Sequence, residues 1–189
     1  MNNGTALLVM DYQNGIIGSI SNAQEVLERA ARAIDVARRH GATVGYVRVA
    51  FDDADIKAIP ERNKMAAAIT QYGERIRNCT QATAIHEAVS PLPGDIVVRK
   101  TRVGPITTTD LEKQLRDRGI TTLVLAGIST SGVVLSTVRE AADLDYKLYV
   151  LSDACADPAQ DVHQCLIEKV FPRQADVIAV DELEGKVFA

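Results

Sequence analysis

The sequence predicts an α/β protein, a three-layer α/β/α sandwich built on a doubly wound, six-stranded, mostly parallel sheet. Three observations carry that expectation. Short apolar runs rich in β-branched residues alternate along the chain with helical patterns. Strands separated by helices imply right-handed crossovers and parallel neighbours. The runs are nearly continuous in apolar residues, as strands covered on both faces are. With 189 residues, 47% of them apolar and 24% charged, the chain can bury a substantial core and reads as one globular domain over residues 1–189.

The first strand is Thr5–Met10, followed by a loop holding Asn14 and Gly15. A helix is expected over Asn22–His40. Asn22 is placed as its N-cap with Glu25 three positions on, Leu27, Ala30, Ala31, Ile34 and Ala37 form its apolar stripe, and Gly41 closes it. The second strand is Thr43–Phe51. Residues 52–93 read as one or two short helices with connecting loop, the natural place for a specificity insert. Ile96–Arg99 is the third strand. Thr109 and Glu112 have the spacing of a capping box for a helix stopping at Gly119. Thr121–Ala126 is the fourth strand, and Gly127–Ser131 turns tightly into a helix reaching Leu144. Lys147–Leu151 is the fifth strand. A helix over Ala159–Phe171 follows, with Pro158 in its first turn, and Val177–Val180 is the sixth strand.

Composition excludes several functions. The net charge is −4, with no basic block to attract nucleic acid or an anionic membrane. Aromatics are 4% and Trp is absent, so base-stacking platforms are not expected. No apolar run approaches the roughly 20 residues of a bilayer span, and the N-terminal stretch MNNGTALLVMDYQ reads as a strand rather than a signal peptide. Cys79, Cys155 and Cys165 lack CxxC spacing, and His40, His86 and His163 are scattered. Neither a metal site nor a disulfide framework is expected, no cofactor is implied, and a reducing cytoplasm is the default compartment.

Ligands of open α/β sheets bind beyond the carboxyl ends of the strands. Asp11 follows the first strand, Lys100 the third, and Gly127–Gly132 the fourth, while Ser152, Asp153 and Asp157 trail the fifth. If the strand order brings the first, third and fourth together, Asp11 and Lys100 share a crevice with a helix N-terminus. An acid, an amine and free N–H donors are parts of an acyl- or ether-cleaving centre. A solvated lysine at a strand end is the commoner use of such a residue.

LLVMDYQNG, GDIVVRKTRVG and LVLAGISTSGVV, in that order, resemble the isochorismatase-like hydrolases, also called cysteine hydrolases. The resemblance implies the six-stranded fold and an Asp–Lys–Cys triad in which Asp11 and Lys100 match the family's aspartate and lysine. It places Val133 at the nucleophile position, so this sequence lacks the family's cysteine. It also implies a cis peptide near Ile128–Ser129, with Ser129 and Thr130 in an oxyanion-forming turn, and a homodimer or homotetramer. The cysteine-free isochorismatases cleave a vinyl ether with the aspartate as general acid, and a small carboxylated substrate is expected here, with Arg102 as its partner. For Asp11 to hold a proton beside Lys100, desolvation would have to offset the lysine. A nicotinamidase-like metal site is not expected, because VRVAFDDADIKAIP holds no histidine, and Asp52, Asp53 and Asp55 read as a solvated loop.

Two alternatives stand beside this one: a non-catalytic binding relative, and an amidase using another nucleophile. Ser129, Thr130, Ser131, Ser136 and Cys155 are the candidates for the latter. Cys155 reads as a small buried packing residue, Cys79 and Cys165 as helical, and His163 as a helix-surface or capping histidine. Arg48 is expected against an acid, and Arg99 points away from Lys100 by strand alternation.

Overall fold

The structure, a computed structural model, describes residues 4–189. Met1–Asn3, part of the N-terminal stretch read above, lie outside the described residues. Six strands form one parallel sheet: β1 (Thr5–Met10), β2 (Thr43–Val49), β3 (Ile96–Lys100), β4 (Thr122–Ile128), β5 (Lys147–Ala156) and β6 (Asp176–Ile178). Their order is β3-β2-β1-β4-β5-β6. The chain therefore winds outward in one direction from β1 and then in the other from β4, which makes the β1/β4 boundary a topological switch point.

Among the described residues eight α-helical segments surround the sheet: α1 (Asn14–Ile17), α2 (Ala23–Arg39), α3 (Asp53–Lys57), α4 (Met65–Tyr72), α5 (Leu111–Asp117), α6 (Leu135–Asp143), α7 (Gln160–Cys165) and α8 (Leu183–Val187). Side-chain alternation divides the core in two. On one face Leu7, Val9, Tyr46 and Leu151 pack with Leu27 and Ile34 of α2 and Leu183 of α8. On the other, Leu8, Met10, Val98 and Leu123 pack with Leu111 and Leu115 of α5 and Val138 of α6. Every residue of β1 is buried, as its unbroken apolar run requires. A small third cluster of Phe51, Ile59 and Ile69 anchors α3 and α4, the two short helices expected within 52–93.

The structure corrects several boundaries. Asn22 occupies the N-cap of α2, but its side chain makes no capping bond, while Gly41 at φ 69° follows the helix as expected. The Thr109–Glu112 box does not form: Asp110 is the N-cap of α5, Thr109 Oγ1 accepts from the Leu111 N–H at 3.1 Å, and Glu112 pairs with Arg116. Strand β5 runs past Leu151 to Ala156, because pairing with β4 resumes at Gly127–Cys155 and Ile128–Ala156 beyond a register shift. Polar Ser152 and Asp153 look like the strand's end but lie in that irregularity, where Asp153 accepts from the Val180 N–H at 2.9 Å. The expected Ala159–Phe171 helix is α7 followed by a π-helical turn (Leu166–Val170) and a 3₁₀ turn (Phe171–Arg173), and Pro158 precedes the Ala159 N-cap. Strand β6 stops at Ile178 because Ala179 caps a 3₁₀ turn, its N–H bonded to Glu182. Cys79 lies in a turn at φ 65° rather than on a helix. Among the described residues no helix is long and apolar enough to cross a membrane.

Candidate active site

Asp11 directly follows β1 and Lys100 ends β3, with β2 between them. Two strand spacings are about 10 Å, so the long lysine side chain must reach past β2. It does: Lys100 Nζ lies 2.8 Å from Asp11 Oδ2 and donates to the Arg102 carbonyl at 3.2 Å. Lys100 continues the Ile96–Val98 row into the face packed by α5 and α6. Asp11 turns out of the strand at φ 60°, its N–H held by the Val47 carbonyl at 2.8 Å.

The pair is closed to solvent, Asp11 being 4% and Lys100 3% exposed. Burial pushes the Asp11 carboxyl up from its ordinary 3.8 to about 6, against the opposing charge and hydrogen bond of Lys100. Desolvation thus does offset the lysine. One carboxylate oxygen is committed to Lys100, and the other, Oδ1, is buried with no hydrogen-bond partner. An orphaned buried acceptor is costly and is expected where a proton or ligand completes the site.

Gln13 is a residue that sequence reasoning passed over. Its side chain is buried, donates to the Val49 and Thr83 carbonyls at 2.8 Å each, and accepts from the Val49 N–H at 2.7 Å. It locks the loop after Asp11 onto the end of β2. Tyr12, also buried, donates its hydroxyl to the Ala154 carbonyl. The only sequence signal for either was polarity immediately after an apolar strand.

Beyond β4 the Ile128–Ser129 peptide is cis, at the position expected. Thr130–Val134 form a π-helical turn ahead of α6. Val133 is buried in the apolar cluster with Met10, Val98 and Cys155. Thr130 is fully buried, and its hydroxyl meets His163 Nδ1 at 2.8 Å. The Ser131 N–H is taken by Asp157 Oδ2 at 2.8 Å. His163, expected as a helix-surface or capping histidine, lies on α7 and is half-buried against the turn.

Other residues fall elsewhere. Arg102 is half-buried and donates to the Thr101 carbonyl at 2.6 Å. Arg48 bonds Asn78 Oδ1 at 2.7 Å, an amide rather than the expected acid. Arg99 points away from Lys100 to Asp55 and Asp52, while Asp53 pairs with Arg77, so this acidic loop is neutralised by arginines. Among the described residues no cluster of His, Cys, Asp and Glu could hold a metal ion. Burial pushes the Cys155 thiol up to about 12. A cavity of about 190 Å³ is lined by Asn22, Asp153, Cys155, Gln160 and His163 among others, and neither Asp11 nor Lys100 lines it.

Residues 5–182 match the isochorismatase domain family. The chain is 34% identical over 169 residues to YwoC of Bacillus subtilis (strain 168), an uncharacterized isochorismatase family protein, covering 89% of this chain and 86% of that one. It is 33% identical over 207 residues to the ureidoacrylate amidohydrolase RutB of Methylobacterium radiotolerans, covering 96% of this chain and 80% of that one. The structure of an isochorismatase family protein from Burkholderia thailandensis superimposes with a TM-score of 0.85 at 29% identity, over 100% of this chain and 98% of that one. The parallel sheet, its strand order and the sequence match agree that this chain belongs to the isochorismatase family of hydrolases.

Proposed function

We propose that this chain hydrolyses the vinyl ether of a small carboxylated substrate without a thiol nucleophile, with Asp11 as general acid. One observation carries the reading: Asp11 has an oxygen free of partners and a carboxyl raised to about 6, while its other oxygen is fixed by Lys100. A general acid works best with a pKa near the operating pH. In this reading protonated Asp11 delivers its proton from Oδ1 to the terminal vinyl carbon. Water adds to the resulting oxocarbenium carbon, and the hemiketal collapses to an alcohol and a 2-oxo acid. The proton lost by water returns to Asp11. Lys100 orients the carboxyl and balances its charge once the proton has gone, and the half-buried Arg102 beside it takes a substrate carboxylate.

Val133 at the nucleophile position argues against the thiol route by which an amide would be attacked. Two of the other candidates fare no better in this reading. The Thr130 hydroxyl is engaged by His163, and Cys155 is a neutral, buried thiol. The test is pyruvate release from isochorismate. The wild type should turn over, Asp11→Asn should not, and iodoacetamide should leave the rate unchanged. Equal rates in wild type and Asp11→Asn would overturn the proposal.

A second reading, a non-catalytic ligand-binding relative, is favoured by the burial of Val133 and by the solvent-closed ion pair. It predicts no turnover of amides, nitriles or vinyl ethers, but a rise in Tm with small carboxylates.

A further inference from the structure

The turn after β4 is held from outside by two side chains that follow β5. Thr130 opens the turn with no solvent exposure, and a hydroxyl so placed needs a partner. His163 of α7 supplies it at 2.8 Å, across 33 residues of sequence. One position on, Asp157 Oδ2 accepts from the Ser131 N–H, while its Oδ1 accepts from the Ala159 N–H at 3.1 Å. Asp157 is thereby tied both to the turn and to the start of α7. Ser129, the turn's N-cap, makes no capping bond with its own side chain. Inside the turn, the Gly132 and Val134 N–H groups both go to the Ser129 carbonyl, at 3.2 and 3.3 Å. The side-chain grip on the turn's first residues thus comes from α7 and the segment before it.

This turn stands beside the proposed acid. Met10 pairs with Gly127 across β1 and β4, so Asp11 and the turn leave neighbouring strands at the same rim. Gly127 is packed closely between them and has no room for a side chain: a Cβ there would lie 2.9 Å from Val134 Cγ2 and 3.1 Å from Met10 Cβ. Thr137 links the same parts, donating to the Val133 carbonyl at 2.7 Å and lying 3.4 Å from Met10 Sδ. Thr130 thus belongs to a closely packed segment that joins the strand end neighbouring Asp11.

We propose that His163 is a positioning residue for the reaction at Asp11, fixing through Thr130 the backbone turn against which the substrate is held. The proposal rests on the vinyl-ether reading of the site. It also accounts for a histidine that sequence reasoning left as a helix-surface or capping residue. Misplacement by about 1 Å at a distance from the chemistry can cost a hundredfold in rate.

The experiment is a double-mutant cycle on isochorismate turnover with Thr130→Val and His163→Leu, alongside the conservative Thr130→Ser and His163→Asn. Each disruptive variant should lower kcat by about tenfold or more with KM within about twofold, the double variant should be no worse than either single, and Thr130→Ser should recover most of the rate. Additive losses, or a fall in Tm with kcat unchanged in the folded protein, would overturn the proposal. If the wild type shows no turnover, the vinyl-ether reading fails by itself. The Thr130→Val and His163→Leu singles and their double variant then report through amide exchange of Ser131–Val134. Non-additive loss of protection supports the grip of His163 on the turn, and additive loss defeats it.

Discussion

Replacing Lys100 by Met separates the two forces acting on Asp11. The lysine ammonium, 2.8 Å from Oδ2, draws the carboxyl pKa down, and burial drives it up. Their balance is a rise from 3.8 to about 6. At about 1.36 kcal/mol per pKa unit, the ionised form in the folded protein is disfavoured by about 3 kcal/mol relative to the unfolded chain. Because the folded value is the higher one, the folded state binds the extra proton between the two values. The stabilisation from this group is complete below about 4 and is lost as pH rises through about 6. With Met at position 100 only the upward influence remains, so the value must climb further and the carboxyl stays neutral at higher pH. Carboxyl-carbon NMR of protein with labelled aspartate reads this directly, with Asp11→Asn identifying the resonance. The wild type should titrate near 6 and Lys100→Met clearly above it. A wild-type inflection near 4, or a downward move in Lys100→Met, would refute the electrostatic argument.

Other outcomes follow from the same structure. Asp11→Asn leaves Lys100 buried without its counter-ion and should lose about 3–5 kcal/mol in urea unfolding, much of it regained when Lys100→Met is added; no loss would mean the pair is solvated. Iodoacetamide at neutral pH should label the exposed Cys79 and Cys165 and spare Cys155, as peptide mapping will report. Gly127→Ala drives a methyl against Val134 and Met10 and should cost about 1–3 kcal/mol by denaturant titration. Leu115→Ala, at a fully buried position of α5, should cost about 2–5 kcal/mol by the same measurement.

The strands and their order of appearance were legible because doubly covered parallel strands are apolar on both faces, as in Thr5–Met10 and the Thr121–Ala126 run. Asp11 and Lys100 were legible as polar residues just past such runs. That they share a crevice was expected from an assumed strand order and from the family resemblance; local pattern alone could not state it, because the contact reaches across β2. The continuation of β5 was hidden by Ser152 and Asp153, whose polar groups find partners only in the folded sheet. The Thr109–Glu112 start misled because Glu112 pairs with Arg116 instead of capping, whereas Asn22 stands at the N-cap as read but makes no side-chain capping bond. His163 and Gln13 were missed for one reason. Each does its work through a hydrogen bond to a segment more than 30 residues away, Thr130 for one and Val49 and Thr83 for the other.

The most direct test is the pH dependence of kcat for pyruvate release from isochorismate between pH 5 and 8. If Asp11 delivers the proton, the rate should be highest in acid and fall tenfold per pH unit above an inflection near 6, so that about a tenth of the enzyme is active at pH 7. A rate that rises with pH through this range, or that iodoacetamide abolishes, would contradict the account.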